Sequence, residues 1–258
     1  MNFRKKILGY QILILCKIVV FIENWVDIHT IRHHSVWAKP ISQASTIVDL
    51  GSNKGDFSKY FFDRNECSVF CVEPNPQLAE YVAKSLFADV SNLAITDHPG
   101  EFDFTLSENL EASSLSSDLA SLWGETQTIK ISGISLEEYL REKSINNVSL
   151  LKIDIEGAEI DILKKIGRQT LEQIDQLTVE FHDFLDSSLI PDVEEIINKL
   201  ENFGFICLCF DYPRHENTLF VSKKILSRKK YWLDYFLLIT MKHFLKIKGK
   251  WQQRLQYL

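Results

Sequence analysis

The chain has 258 residues, 45% hydrophobic and 25% charged, an ordinary globular balance with enough apolar residues for a sizeable core and appendages. Its five cysteines (Cys16, Cys67, Cys71, Cys207, Cys209) are scattered and lack a CxxC pair, which argues against a zinc framework or a disulfide-stapled secreted scaffold and for reduced cytosolic thiols. The net charge of −6 conceals a split: from Ser222 onward ten Lys/Arg face the single acid Asp234, net +9, so the remainder stands at −15.

Arg4, Lys5 and Lys6 precede an apolar run from Ile7 to Ile22 that is interrupted by Gln11 and Lys17, like the start of a signal peptide or anchor. As a helix the run would cover roughly 24 Å, short of the ~30 Å hydrocarbon core. No small-residue cleavage site follows it, and a spanning helix would place the body outside the cytoplasm. The expectation is a buried or interfacial helix.

Short apolar strands then alternate with amphipathic helices. Strands are expected at Thr46–Leu50, Ser68–Glu73, near Asp89–Ala94, Val148–Asp154 and Gln176–His182, with a hairpin from EFDFTLS and TIKIS. Helices are expected at Asp56–Asp63, Pro76–Leu86, ISLEEYLREK, Ala158–Ile166 and Val193–Asn202, before the last strands GFICLCF and NTLFVS. This alternation predicts a mostly parallel α/β sheet covered on both faces, with ligands outside the carboxyl ends of its strands.

The first strand runs into VDLGSNKGDFS. Gly51 and Gly55 let the backbone turn tightly and approach a ligand, and the following helix offers free N–H groups. The spacing is GxxxG, so the GxGxxG dinucleotide fingerprint is not matched. Glu73, 22 residues after Gly51, ends the second strand, where an acid can accept hydrogen bonds from ribose hydroxyls. Loop and acid together suggest an adenosine ligand without a pyrophosphate.

In LLKIDIEGAEIDIL, acids arrive where a buried strand meets solvent. With a period of two, Lys152, Asp154 and Glu156 share one side, as do Thr178, Glu180 and His182 on the next strand. Parallel neighbours would gather Asp154, Glu156, Glu180 and His182 at one carboxyl end. Glu159 equally suits a helix N-terminus, where the macrodipole favours acid.

DLGSNKGDFS, CVEPNP, NLAITDHPGEFDF, ISLEEYL and above all LLKIDIEGAEIDIL followed by TVEFHDF resemble the FkbM family of S-adenosylmethionine-dependent methyltransferases, over roughly Thr46 to Ser222. The resemblance implies a Rossmann-like, seven-stranded class I methyltransferase sheet with helices on both faces, its last strand antiparallel; the N-terminal and C-terminal helical appendages lie outside the shared pattern. It divides the chain into 1–45, an apolar helix and linker; 46–222, the methyltransferase domain; and 223–258, a basic amphipathic tail. The implied chemistry is O-methylation, commonly of a sugar hydroxyl in a glycan, glycolipid or natural product. Gly51, Ser52, Asn53 and Gly55 would wrap the methionine portion of the cofactor, Glu73 would hold its ribose, and Asn92 and Ala94 would flank the adenine. His182 is the preferred base, being largely neutral at its ordinary pKa of about 6.5. Asp154 or Glu156 would orient acceptor hydroxyls or face the cofactor's positive end, and Mg²⁺ held by Asp154, Glu156 and Glu180 is the alternative. A silent scaffold on the same fold and a nicotinamide-dependent oxidoreductase are the competing functions.

Other residues carry less. His33 and His34 lack helical metal spacing, and His98 and His215 read as surface residues near turns. The serine cluster from Ala112 to Leu122 reads as a substrate-facing loop or a solvated connection. The tail from Lys229 to Trp251 sets apolar residues between basic clusters, which suits a helix in the headgroup layer of a membrane; packing on Ile7–Ile22, within the chain or in a homodimer, is the competing reading. The expected setting is cytoplasmic, at the inner face of the membrane, with a glycan or small-molecule acceptor and no nucleic-acid partner.

Overall fold

Apolar residues fill both faces of the first helix, and the computed structural model, which describes residues 3–85, 87–107 and 126–256, carries it well past the predicted run. Helix α1 spans Phe3–Val26, 24 residues or about 36 Å at the rise of an α-helix. The predicted shortfall against a bilayer is therefore corrected: α1 is long and apolar enough to cross one. Strands β1 (Ile28–Ile31) and β2 (His34–Trp37) follow as an antiparallel hairpin that the sequence reading left as linker. Arg32 and His33 both take positive φ in its two-residue turn, without the Asn-Gly pair that usually announces one. His34 is fully buried in β2.

Chain contacts group the molecule into two units, Ile41–His182 and Met1–Pro40 with Asp183–Leu258. In this grouping the chain after residue 182 packs with both terminal helices.

The first unit is built on five parallel strands. Strand β3 (Thr46–Leu50) is flanked by β4 (Ser68–Val72), reached through helix α2 (Asp56–Asn65). Helix α3 (Pro76–Lys84), capped by the Asn75 side chain, leads to β5 (Asp89–Ser91) beside β4. Strand β6 (Ala94–Ile95) leaves that sheet and joins β7 (Gly100–Ser107) and β8 (Thr126–Ile134) in a three-stranded sheet, where the predicted hairpin pairs antiparallel. Helix α4 (Leu136–Glu142), capped by Ser135, precedes β9 (Leu150–Ile153). Helices α5 (Glu159–Lys165) and α6 (Arg168–Gln173) then return the chain to β10 (Gln176–Val179). β9 lies between β3 and β10, giving the order β10-β9-β3-β4-β5. All five strands run the same way, so their carboxyl ends share one edge. β9 and β10 are buried along their whole length, as expected of strands covered on both faces.

In the other unit, helix α7 (Ile190–Phe203) ends at Gly204 and feeds β11 (Phe205–Cys209), which pairs antiparallel with β12 (Thr218–Ser222). These two strands with the five parallel ones make the predicted set of seven. A short helix α8 (Lys223–Leu226) leads to α9 (Trp232–Gln256). Leu238, Met241 and Leu245 of α9 share one buried cluster with Val19, Ile22 and Val26 of α1, together with Trp37 and Tyr231. The two terminal helices thus pack on each other within the chain, which covers Leu238, Met241 and Leu245 of the tail but leaves Trp232 and Phe236 exposed.

Candidate active site

Three carboxyl-end loops converge because the backbone leaves them no other room. Gly51 sits at φ +73°, and a Cβ there would lie 1.7 Å from the carbonyl oxygen of Asp154. Only glycine lets the β3 loop press against the end of β9. Gly55 (φ +76°) starts α2, and a Cβ there would meet the Phe87 and Val82 side chains at 2.9 and 3.2 Å. Between them Asn53 takes the left-handed conformation.

Glu73 ties this loop to the next one. Its Oε2 accepts from the Asn53 backbone N–H at 2.7 Å and its Oε1 from that of Asn75 at 2.8 Å. Burial pushes its carboxyl up to about 7 despite those two bonds. Asn92 donates from Nδ2 to the carbonyls of Glu73 and Pro74, both at 2.9 Å, and so staples the end of β4. Ala94 is a correction: the third strand ends at Ser91, and Ala94 is buried in the separate three-stranded sheet. The predicted strand over Asp89–Ala94 is in fact two strands of two sheets.

Polar groups around the loop lack partners among the described residues. The buried Oδ1 of Asn53 and Nδ2 of Asn75 make no hydrogen bond. Orphaned buried polar atoms call for an explanation such as a ligand. An acceptor and a donor beside a glycine turn fit a polar, adenosine-bearing cofactor.

The acidic end of β9 is organised from below by Lys152, a lysine in the middle of an apolar strand. Its Nζ donates to the Gly51 carbonyl at 2.8 Å and lies 3.2 Å from both Asp49 Oδ1 and Asp154 Oδ2. Asp49 is fully buried and also accepts from Ser58 Oγ at 2.7 Å. Burial alone would push the Lys152 ammonium down, but Asp154 and Asp49 outweigh it and hold it charged.

Beyond β9 the chain turns through Glu156 and Gly157, both at positive φ. Glu159, buried at the start of α5, fixes that turn: Oε1 accepts from the N–H groups of Ile155 and Gly157, and Oε2 from Gly157 again. This bears out the reading of Glu159 as a helix N-terminal acid and adds a second task. Glu159 Oε1 lies 3.2 Å from His182 Nδ1, while Glu156 Oε2 lies 3.3 Å from His182 Nε2. Burial would lower the imidazole pKa, but the two carboxylates outweigh it and lift it to about 11. The two carboxylates thus favour the imidazolium form of His182, which has no free lone pair for taking a proton. The expectation of a neutral His182 base did not include these two flanking acids.

Glu180, just past β10, donates its N–H to the Ile153 carbonyl and so sits beside Asp154. Burial first, then the neighbouring Asp154 and Glu156, push its carboxyl up to about 8. A group with that pKa suits proton abstraction near neutrality. The ligand atoms of Asp154, Glu156 and His182 lie within 4.8 Å of one another, a group that could hold a metal and that contains two of the three predicted ligands.

Elsewhere, His98 is exposed as predicted, whereas His215 is buried with Nδ1 2.7 Å from Asp183 Oδ2, correcting its surface reading. The serine cluster at Ala112–Leu122 lies outside the described residues. Sequence reasoning missed Asp49 and Asn75 and placed Lys152 beside Asp154 without giving it a task; the signal for Asp49 and Lys152 was a charge inside each of two apolar strands, TIVDL and LLKID.

The model of the methyltransferase FkbM domain matches residues 49–207. Over 187 residues the chain is 26% identical to 2-O-methyltransferase NoeI of Sinorhizobium fredii, covering 65% of this chain and 74% of that protein. It is also 26% identical over 167 residues to Methyltransferase 1 of Beauveria bassiana, covering 56% and 67% respectively. Among solved structures it is similar to a precorrin-6y C5,15-methyltransferase from Geobacter metallireducens, with TM-score 0.36 and 10% identity over 70% of this chain and 80% of that one. With the matched domain over most of the chain and its glycine loop and acidic strand ends in place, the chain belongs to the FkbM family of S-adenosylmethionine-dependent methyltransferases and has their Rossmann-like class I fold.

Proposed function

We propose that this methyltransferase acts on oxygen, methylating a hydroxyl of a sugar in a glycan, glycolipid or related natural product. The observation that carries the reading is the cluster of Asp154, Glu156 and Glu180 beside the Gly51 turn, with Glu180 raised into the range of a working base. Carboxylates are hydrogen-bond acceptors matched to a polyol, whose neighbouring hydroxyls donate. The relative from Sinorhizobium fredii is named as a 2-O-methyltransferase, which supports oxygen as the accepting atom.

When bound, S-adenosylmethionine supplies a sulfonium-borne methyl, so that a C–O bond forms as the C–S bond breaks and sulfur keeps the electron pair. The chain's residues hold the partners and move the proton. Gly51, Ser52, Asn53 and Gly55 form the cradle for the methionine portion. Glu73 keeps a second lone pair on each oxygen for ribose hydroxyls. Glu180 takes the acceptor's proton, and Asp154, fixed by Lys152, orients the hydroxyl. His182 holds Glu156 in place as a positioning residue. Alignment of this kind can supply ~7 to 11 kcal/mol of the barrier, and a placed base a further factor of ~10² to 10⁴.

The test is methyl transfer from labelled cofactor into carbohydrate fractions of cell extracts, followed by acid hydrolysis. Label recovered in O-methyl sugars supports the reading, and label confined to protein or nucleic acid overturns it. EDTA tests the alternative in which a divalent ion on Asp154, Glu156 and His182 assists. Loss of activity that Mg²⁺ restores would transfer the activation of the hydroxyl to the ion.

A further inference from the structure

Helix α1 presents its apolar residues outward. Ile7, Tyr10, Leu13, Ile14, Phe21 and Trp25 are all exposed, Ile14 at 58% and Phe21 at 64%. They recur at the spacing of one helix face. The opposite face, with Leu15, Val19, Ile22 and Val26, is already buried, three of these residues in the cluster shared with α9. A continuous exposed apolar stripe of this kind marks an interaction surface.

We infer that the outward face of α1 docks on an anionic membrane surface, with the helix lying in the plane of the headgroups. Charge selects this occupant. Lys5, Lys6 and Lys17 accompany the stripe, and no acid occurs in the chain before Glu23, although the protein as a whole is acidic. Lys17 is exposed within the stripe itself, where its apolar stem can lie along the lipid while its ammonium reaches a phosphate. In a twofold dimer the same stripe would meet itself and bring cation toward cation. A spanning helix fares worse, because α9, packed on α1, would carry Lys242 and Lys248 toward the hydrocarbon. Tyr10 and Trp25 have the amphipathic rings that favour the interfacial layer.

This puts the main membrane contact on α1; of the C-terminal tail, Leu238, Met241 and Leu245 are fully covered, while Trp232, Phe236 and Ile247 are exposed. The inference rests on the exposed face and its charge and is independent of which acceptor is methylated.

The experiment is flotation of the full chain with vesicles of phosphatidylcholine and phosphatidylglycerol, or of phosphatidylcholine alone, at low and high salt. The wild type should float with the anionic vesicles, less well at high salt and less well with the neutral ones. The double variant Ile14→Asp/Phe21→Asp should lower the partition coefficient at least tenfold and leave cofactor affinity unchanged, since both side chains are exposed. The milder Ile14→Ser/Phe21→Ser should give an intermediate loss. Equal flotation of wild type and the Asp variant would overturn the inference. So would a wild type that does not float but forms a dimer abolished by the same variant. Resistance of the bound protein to alkaline carbonate would show a spanning helix and overturn the in-plane placement.

Discussion

Lys152 Nζ and Asp154 Oδ2 lie 3.2 Å apart at the end of β9, and the same ammonium donates to the carbonyl of Gly51 at 2.8 Å. One buried cation thereby joins the glycine turn to the acid proposed to orient the acceptor.

Replacing Lys152 with Met should leave Asp49 buried without its counter-charge. Removing one partner of a buried pair costs about 3 to 5 kcal/mol, which denaturant unfolding would register. Cofactor affinity should also fall at least tenfold as the Gly51 turn loosens. Lys152→Met/Asp49→Asn should recover part of the stability but not the affinity, whereas a structural role alone would restore both together.

Glu180→Gln should lower kcat by ~10² to 10⁴ with little effect on cofactor binding. In the wild type, kcat/KM should rise with pH through about 8 and level off above, because the reactive form is the deprotonated one. The variant should lose that rising limb. His182→Gln should lower kcat yet keep the limb, as expected of a group that positions Glu156. A limb that vanishes in His182→Gln and survives in Glu180→Gln would return the base role to the histidine.

Stability should fall as pH rises. The folded pKa lies above the ordinary value for Glu73 (about 7), Glu180 (about 8) and His182 (about 11). Between each unfolded and folded pKa the folded state retains a proton that the unfolded chain has released, so the slope of stability against pH is negative there. The carboxyls act from about pH 4.5 to 8 and the imidazole from about 6.5 to 11. Melting temperatures measured from pH 5 to pH 10 should decline throughout, and His182→Gln should flatten the alkaline part. A profile rising over this range would show that the cluster ionises otherwise.

The strands and the loop were legible because their signals are local. Thr46–Leu50 matches its predicted span to the residue, and Gly51 and Gly55 stand where a turn needs positive φ. The β1–β2 hairpin was not legible, since Arg32 and His33 adopt positive φ against their own preference and only tertiary packing shows it. The tail's helical pattern was readable, but not which face it buries, because Val19 and Ile22 that cover Leu238 and Met241 lie more than 200 residues away in sequence. The acids at the end of β9 were readable as a group. Their division into tasks was not, since Glu159 acts through bonds to Ile155, Gly157 and His182 that depend on a left-handed turn at Glu156.

Glu73 separates holding the site from holding the ligand. Both of its oxygens accept backbone N–H groups, from Asn53 and Asn75, so Glu73→Ala would leave one half-buried and one buried donor without partners. Each orphaned donor costs roughly 1 to 3 kcal/mol, so this variant should lose stability as well as cofactor affinity. A change at a mere surface acid would leave the melt untouched. Glu73→Gln is the informative comparison: its amide oxygen can satisfy one of the two N–H groups, while its NH₂ must face the other. It should therefore melt between wild type and Glu73→Ala. Affinity for S-adenosylmethionine, read by calorimetry below the melting range, should drop in Glu73→Gln by at least tenfold, because the amide offers fewer acceptor lone pairs to the ribose. An analogue lacking both ribose hydroxyls should bind wild type and Glu73→Gln about equally if those hydroxyls are the partners. If the variant still binds the full cofactor as tightly as wild type, Glu73 serves only to join the two loops, and the ribose must be held by another residue.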